Sequence, residues 1–380
     1  MKLQSIAIVH GDLSSFGGAE RIIYLMAQFY VSKGYQVDII TYSVSKHILF
    51  QFRQIGCKII TLDVPIININ DTKQLSLKFL GWRLRSLVLN YDVINVHNFP
   101  ATLWLGFAGK FGVLKLPPII WSCHEPPRNL YDNYKKGHDL KRDFLVKQDN
   151  SSVKLFSSII CNSHFTAKAV KTYYGISAKV KHFGVLLEKN IVLNLKKEIC
   201  FGTVSRLEKI KNIDFIIKAL AIFKKENPSI KFSYEIVGVG AEKEYLQKLV
   251  YTLGLVSEIS FLGFVSHDQL KDCYNRWQFV VFCPFDEPLG LIPLEAASYF
   301  IPTVGSKEGG VLETIIHDKT GLLVDPKNSK DLIKTFSRLL GDIDYCKYLG
   351  KNAHEFVKEN FDFNLTAKFF EAEFINAICK

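Results

Sequence analysis

The sequence predicts an α/β protein made of two doubly wound, Rossmann-like domains in series. Short β-branched runs alternate with helix-periodic stretches along almost the whole chain, the pattern of parallel α/β construction. Its 380 residues also exceed what one hydrophobic core usually organises. A composition of 48% hydrophobic and 22% charged residues is that of a globular chain.

Strands of the first series are expected at residues 6–10, 36–41, 58–62, 93–97, 119–123 and 158–162, each a short run rich in Val and Ile. Helices at 18–33, 79–90 and 163–174 separate them. The second series places strands at 199–204, 232–237, 259–262, 279–283 and 302–305. Its helices fall at 213–226, 242–253, 267–276, 291–299 and 329–340. Between the series, 187–198 has no periodicity and reads as a linker. The expected domains are therefore 1–190 and 191–360, followed by a helix over 361–380. Phe361, Phe369, Phe370 and Phe374 recur there near helical spacing, so that helix should pack on a surface, with the first domain the candidate. Doubly wound sheets bind ligands beyond the carboxyl ends of their strands, here in a crevice between domains.

The net charge of +11 is uneven. Residues 1–190 hold 24 Lys+Arg against 12 Asp+Glu, and the remainder 24 against 25. A basic half suits an anionic partner such as a phospholipid surface or a polyprenyl-phosphate carrier. Nucleic acid is disfavoured, because no interleaved aromatics or reading element accompany the charge. The stretch 73–90 sets Leu75, Phe79, Leu80, Leu87 and Val88 against Lys73, Lys78, Arg83 and Arg85. That face suits anionic membrane, or else a core helix with its basic side in solvent. No apolar run has bilayer length, and the first residues run straight into a strand. The eight cysteines form no CxxC pair and read as reduced core thiols. The expectation is a cytoplasmic protein, at the inner face of a membrane if the basic face docks.

Candidate chemistry lies at strand-to-helix junctions. Gly17 and Gly18 precede the first helix, where close backbone approach and a helix N-terminus suit a phosphate. His124, Glu125 and Arg128 follow a strand, and Pro126 and Pro127 are expected to stop any helix there. Arg206 and Lys211 sit between a strand and a helix and suit a diphosphate. Glu287 lies in a loop and Glu295 in the next helix, with Pro288-Leu289-Gly290-Leu291 between them. Carboxylates suit sugar recognition because each oxygen accepts from a hydroxyl. Gly238-Val239-Gly240 lacks the rest of a dinucleotide fingerprint, and Asp342-Ile343-Asp344 lies beyond the sheet, so neither is assigned a ligand.

In this order and spacing, the motifs resemble those of retaining glycosyltransferases of family 4, which have the GT-B fold. The resemblance rests on Gly17-Gly18-Ala19-Glu20, Asn162-Ser163, Arg206 with Lys211, the E-x7-E element from Glu287 to Glu295, Gly309-Gly310, and Thr320–Val324. It implies that Arg206 and Lys211 hold the donor diphosphate and that Glu295 holds the ribose. Glu287 would contact the sugar or stabilise the reacting centre, and His124 would position the sugar. Gly17 and Gly18 would close on the diphosphate. Phe264 and Val265 would border the base, with Gly290 and Leu291 at the donor. The resemblance further implies transfer with retention, with no metal or other cofactor. His124-Glu125-Pro126-Pro127-Arg128 is similar to a segment of mannosyltransferase branches and favours GDP-mannose over a UDP-hexose. A glycan or lipid-linked acceptor follows. The alternatives are a UDP-hexose enzyme and a non-catalytic subunit of the same fold. One departure is Leu186, which stands where the family pattern has an acidic residue.

Overall fold

A computed structural model describes residues 2–63, 74–111, 114–136, 140–188, 191 and 199–380. Most of the expected linker 187–198 lies outside these residues, as do Lys73 and the side chain of Leu75. The chain divides into two compact units. One comprises Met1–Phe183 with Thr366–Lys380, the other Gly184–Leu365.

The first unit holds strands β1 (Ser5–Leu13), β2 (Gln36–Val44), β3 (Lys58–Thr61), β4 (Val93–Val96), β5 (Ile119–Cys123), β6 (Ser158–Cys161) and β7 (Lys179–Val180). They form one sheet in the order β3-β2-β1-β4-β5-β6-β7, and every pairing is parallel. Strands such as Val93–Val96 and Ile119–Cys123 are buried at every residue, as a sheet covered on both faces requires. The helices are α1 (Gly18–Ser32), α2 (Lys46–Gln54), α3 (Gln74–Val88), α4 (Ala101–Ala108), α5 (Arg128–Lys136), α6 (Leu140–Val153) and α7 (His164–Tyr174). Helix α7 opens where expected, on Ser163, whose hydroxyl accepts from the Thr166 amide at 2.9 Å.

Two expectations change here. The Pro126-Pro127 pair starts a helix rather than stopping one, because α5 begins at Arg128 and proline costs nothing where helical N–H groups have no partner. Along α3, Leu80, Leu84 and Val88 are core, and Arg85 is buried, donating to the carbonyls of Ala108 and Leu114. Phe79 and Trp82 instead face outward.

The second unit holds β8 (Ile199–Val204), β9 (Phe232–Val237), β10 (Ile259–Gly263), β11 (Val280–Phe282), β12 (Thr303–Ser306) and β13 (Gly321–Val324) in the parallel order β10-β9-β8-β11-β12-β13. Its helices are α8 (Ile213–Glu226), α9 (Lys243–Thr252), α10 (His267–Arg276), α11 (Leu291–Ser298), α12 (Val311–Thr314), α13 (Ser329–Gly341), α14 (Ile343–Asn360) and the start of α15 (Phe363–Ile378). Ile213, Ile216, Ile217, Leu220 and Phe223 of α8 recur at helical spacing and are buried, each contributing about 1.5–3 kcal/mol. Asp342 caps α14 by accepting from the Tyr345 amide at 2.9 Å, and Asp344 pairs with Lys347. The DxD sequence there is thus helix-capping chemistry.

From Thr366 onward α15 belongs to the first unit. Tyr30 donates to the Ala367 carbonyl at 3.0 Å, and Phe374 packs edge-on against Tyr30. Phe370 meets Phe183, and Glu371 accepts from Lys33 and Tyr35. The strand orders reverse between β1 and β4 in one sheet and between β8 and β11 in the other. Such switch points are where doubly wound sheets place ligands. Seven of the eight cysteines are buried thiols, while Cys379 is exposed and so departs from the expected core role.

Candidate functional site

In the second unit, three turns converge at the switch point. After β8 the chain runs through Arg206 into a 3-10 turn, Lys209–Lys211. The loop after β11 is tied to that turn by the Phe285 amide, which donates to the Ile210 carbonyl at 2.9 Å. Lys211 Nζ then donates to Glu287 Oε2 at 2.7 Å, with both side chains only 17% exposed. From the third turn, after β12, the Gly310 amide donates to the Glu287 carbonyl at 2.7 Å. Gly309 is left-handed at φ +66°, and a Cβ at Gly310 would lie 2.1 Å from the Pro288 carbonyl oxygen. Glu287 is thus fixed through its backbone and its carboxylate.

Gly290, at φ +90°, opens α11, with Leu291 as its first residue. Glu295 lies one turn further on, buried, and accepts from Tyr274 Oη at 3.3 Å. Tyr274 stacks on Tyr299 at 4.9 Å, and Tyr299 reaches Glu188, which pairs with Lys271 at 2.6 Å. Sequence reasoning passed over Tyr274, Tyr299, Lys271 and Glu188. The signal for Glu188 was present: it stands two residues beyond Leu186, where the family pattern calls for an acid.

Arg206 is 70% exposed and pairs with Glu208 at 2.6 Å, a surface contact weak enough to yield to a ligand. Phe264 is open to solvent, while Val265 packs on the core beside Leu262 and Leu270. Gly238 and Gly240 support the Arg206 turn. Side chains there would strike the carbonyls of Ser205 and Leu207, whose amides donate to Val237 and Val239.

In the first unit, the Gly17 amide donates to Glu20 Oε2 at 2.8 Å, so it is engaged within the capping box of α1, and Gly18 is the first helical residue. Glu20 Oε1 lies 2.9 Å from His10 Nε2. Burial pushes Glu20 upward, but His10 and the Gly17 amide hold it below the usual carboxylate range. His124 follows β5 and is buried, with Nε2 2.8 Å from His97 Nδ1. His97 Nε2 lies 3.0 Å from Asn95 Oδ1, and the edge of Phe183 closes on His124. Burial and neighbouring imidazoles drive His97 well below its ordinary value and His124 down to about 3, so both are neutral near pH 7. In the sequence His10 and His97 each read as a lone histidine within a strand. The topology brings them together at the carboxyl side of β1 and β4, beside His124 after β5. Arg128 pairs with Glu125 at 3.2 Å and lies over the Phe165 ring.

A fixed ammonium beside one carboxylate, an exposed guanidinium on the same turn and a second carboxylate buried in the next helix suit an anion carrying hydroxyl groups. Residues 16–184 match the model of the family Glycosyltransferase Family 4, and residues 187–356 match Glycosyl transferases group 1. The chain is 35% identical over 166 residues to an uncharacterised glycosyltransferase of Methanocaldococcus jannaschii, a match covering 43% of this chain and 42% of that protein. It is 25% identical to the alpha-1,3/1,6-mannosyltransferase alg2 of Schizosaccharomyces pombe, over 98% of this chain and 81% of that one. Among solved structures, Anabaena HepE in complex with UDP-glucose superposes with a TM-score of 0.80 at 20% identity, covering 98% of this chain and 99% of that one. That likeness places the two parallel-sheet domains in the GT-B fold. The first domain thus belongs to Glycosyltransferase Family 4 and the second to Glycosyl transferases group 1, the two joined in the GT-B fold.

Proposed function

We propose that the protein transfers a hexosyl group, mannose from GDP-mannose, to an acceptor hydroxyl with retention at the anomeric carbon. The observation that carries this reading is the Lys211–Glu287 pair, held by three turns at the switch point of the second sheet. Lys211 and Arg206 take the diphosphate and offset the charge that develops as it departs, without a resident metal or other cofactor. Glu295 accepts from the ribose, and Glu287 faces the sugar. Phe264 and Val265 border the base, and Gly290 and Leu291 offer backbone at the start of α11. In the first unit, His124 takes a sugar hydroxyl, while Gly17, which has no side chain, lets the phosphate approach the backbone at Gly18. The mannosyltransferase name of the fission-yeast relative supports the donor, as does the His124–Arg128 segment. HepE, solved with UDP-glucose, supports the alternative of a UDP-hexose.

Thermal unfolding with GDP, GDP-mannose, UDP and UDP-glucose tests the donor. A ligand at about 100 times its Kd adds about 2.7 kcal/mol of stability. Stabilisation by the guanosine pair is expected. Stabilisation by the uridine pair alone would replace the donor, and no response to any of the four would overturn the donor-binding reading.

The acceptor is proposed to be a glycan or a lipid-linked sugar reached from an anionic membrane surface. On α3, Phe79 and Trp82 are exposed with ring centroids 5.7 Å apart, and Lys78 lies beside them. A cavity of about 380 Å³ nearby is lined by Lys78, Phe107, Lys110, Phe111, Phe144 and Gln148. Exposed aromatics flanked by a lysine match the headgroup region of an anionic bilayer. No helix among the described residues is long and apolar enough to cross a membrane. Trp104, Trp121 and Trp277 are buried, so Trp82 should report contact by a blue shift in emission. Phosphatidylglycerol vesicles at low salt should float the protein and shift that emission, and Phe79→Ala with Trp82→Ala should abolish flotation. Equal flotation of the double variant would remove this surface from the proposal.

A further inference from the structure

The hydrogen-bond chain behind His124 fixes which of its ring nitrogens carries the proton. It begins at a backbone carbonyl. Asn95 Nδ2 lies 3.0 Å from the Ile120 carbonyl oxygen, which can only accept, and 2.8 Å from Ser122 Oγ. The amide orientation is therefore set, and Oδ1 is the atom 3.0 Å from His97 Nε2. An amide oxygen only accepts, so His97 Nε2 carries hydrogen. His97 is fully buried and neutral, so its Nδ1 holds a lone pair. That lone pair is 2.8 Å from His124 Nε2, which must donate. His124, also neutral, has then spent its one ring hydrogen, and its Nδ1 makes no hydrogen bond among the described residues.

We propose that Asn95 and His97 are positioning residues that lock His124 as its Nε2–H tautomer, so that Nδ1 meets the sugar as a hydrogen-bond acceptor. The proposal rests on the reading that His124 contacts the transferred sugar. It gives that contact a direction: a sugar hydroxyl donates, and the imidazole is neither an acid nor a cation in the ground state. It also names the origin of the order, because the chain of donors ends on the backbone of β5 and cannot reverse without breaking the Asn95–Ile120 bond.

Two-bond proton–nitrogen correlation spectra of the ring-labelled protein at pH 7 read the tautomers directly. Protonated Nε2 and bare Nδ1 are expected for both His97 and His124, and GDP-mannose or UDP-glucose should shift His124 Nδ1 towards its hydrogen-bonded position. A proton on His124 Nδ1, or an imidazolium, would overturn the lock. His97→Leu should mix the tautomers of His124 and lower kcat/KM about tenfold or more, the cost of misdirecting one buried hydrogen bond. His97→Gln, which again offers an acceptor to His124 and a donor to Asn95, should restore the tautomer and most of the rate. Wild-type kcat/KM in His97→Leu would overturn the positioning role. The expected tautomer with wild-type transfer by His124→Ala would instead overturn the sugar contact and leave the lock standing.

Discussion

Lys211→Ala is expected to lower kcat/KM for glycosyl transfer by about 10²–10³-fold, the loss typical of a preorganised charge-stabilising donor. Lys211 is fixed before any donor arrives, because Glu287 holds its Nζ at 2.7 Å and the Phe285–Ile210 bond holds its turn. Its charge therefore costs little reorganisation when the diphosphate leaves. Removing it also strands a mostly buried carboxylate, which adds a penalty of its own. Lys211→Arg should recover only part of the rate, since a planar fork cannot occupy the place of a compact ammonium. Initial rates of transfer, with circular dichroism to show the fold intact, provide the check. Wild-type kinetics in Lys211→Ala would remove the pair from the active site.

Gly310→Ala is expected to abolish donor-induced thermal stabilisation and to lower stability by about 1–3 kcal/mol, the range for overpacking a filled site. The added methyl would sit 2.1 Å from the Pro288 carbonyl oxygen and 2.7 Å from Leu289 Cα, both backbone atoms that a rotamer change cannot move aside. The loop carrying Glu287 would have to retreat, breaking the Gly310–Glu287 hydrogen bond and unseating the carboxylate from Lys211. Gly341→Ala, where a Cβ meets nothing within 4 Å, serves as the control and should leave nucleotide binding unchanged. Calorimetry and nucleotide titration would separate the two effects. Normal donor binding by Gly310→Ala would show that the third turn does not hold the site.

Much of this fold was legible in the sequence because strands of a parallel sheet covered on both faces are continuous apolar runs. Ile199–Val204 is such a run, while Phe232–Val237 shows itself by alternating apolar and polar residues. What escaped was short or locally ambiguous. Lys179–Val180 is two residues long, and Gly321–Val324 is a four-residue edge strand that follows a turn without the length of a strand signal. Helix α4 is buried on every side, so it offers no amphipathic period to find. The Lys211–Glu287 pair joins two motifs that the sequence offered separately, 76 positions apart. Partners such as Tyr274 and His97 carried no motif, and only strand order and helix facing bring them beside Glu295 and His124.

The path of α15 bears on how the molecule is made. The unit that opens the chain is finished by Thr366–Lys380, so the ribosome must emit the whole of Gly184–Leu365 before Tyr30, Tyr35 and Phe183 acquire Ala367, Glu371 and Phe370. The first domain to be synthesised is consequently the last to be completed. During that interval Tyr30 of α1, Tyr35 and Phe183 form an uncovered aromatic patch, a state in which a multidomain chain is prone to aggregation. A stall or truncation ahead of Thr366 would leave an intact second domain tethered to an incomplete first one. Quality control of this protein therefore bears on α15, which backs His124 through Phe370 against Phe183 and Phe183 against the imidazole.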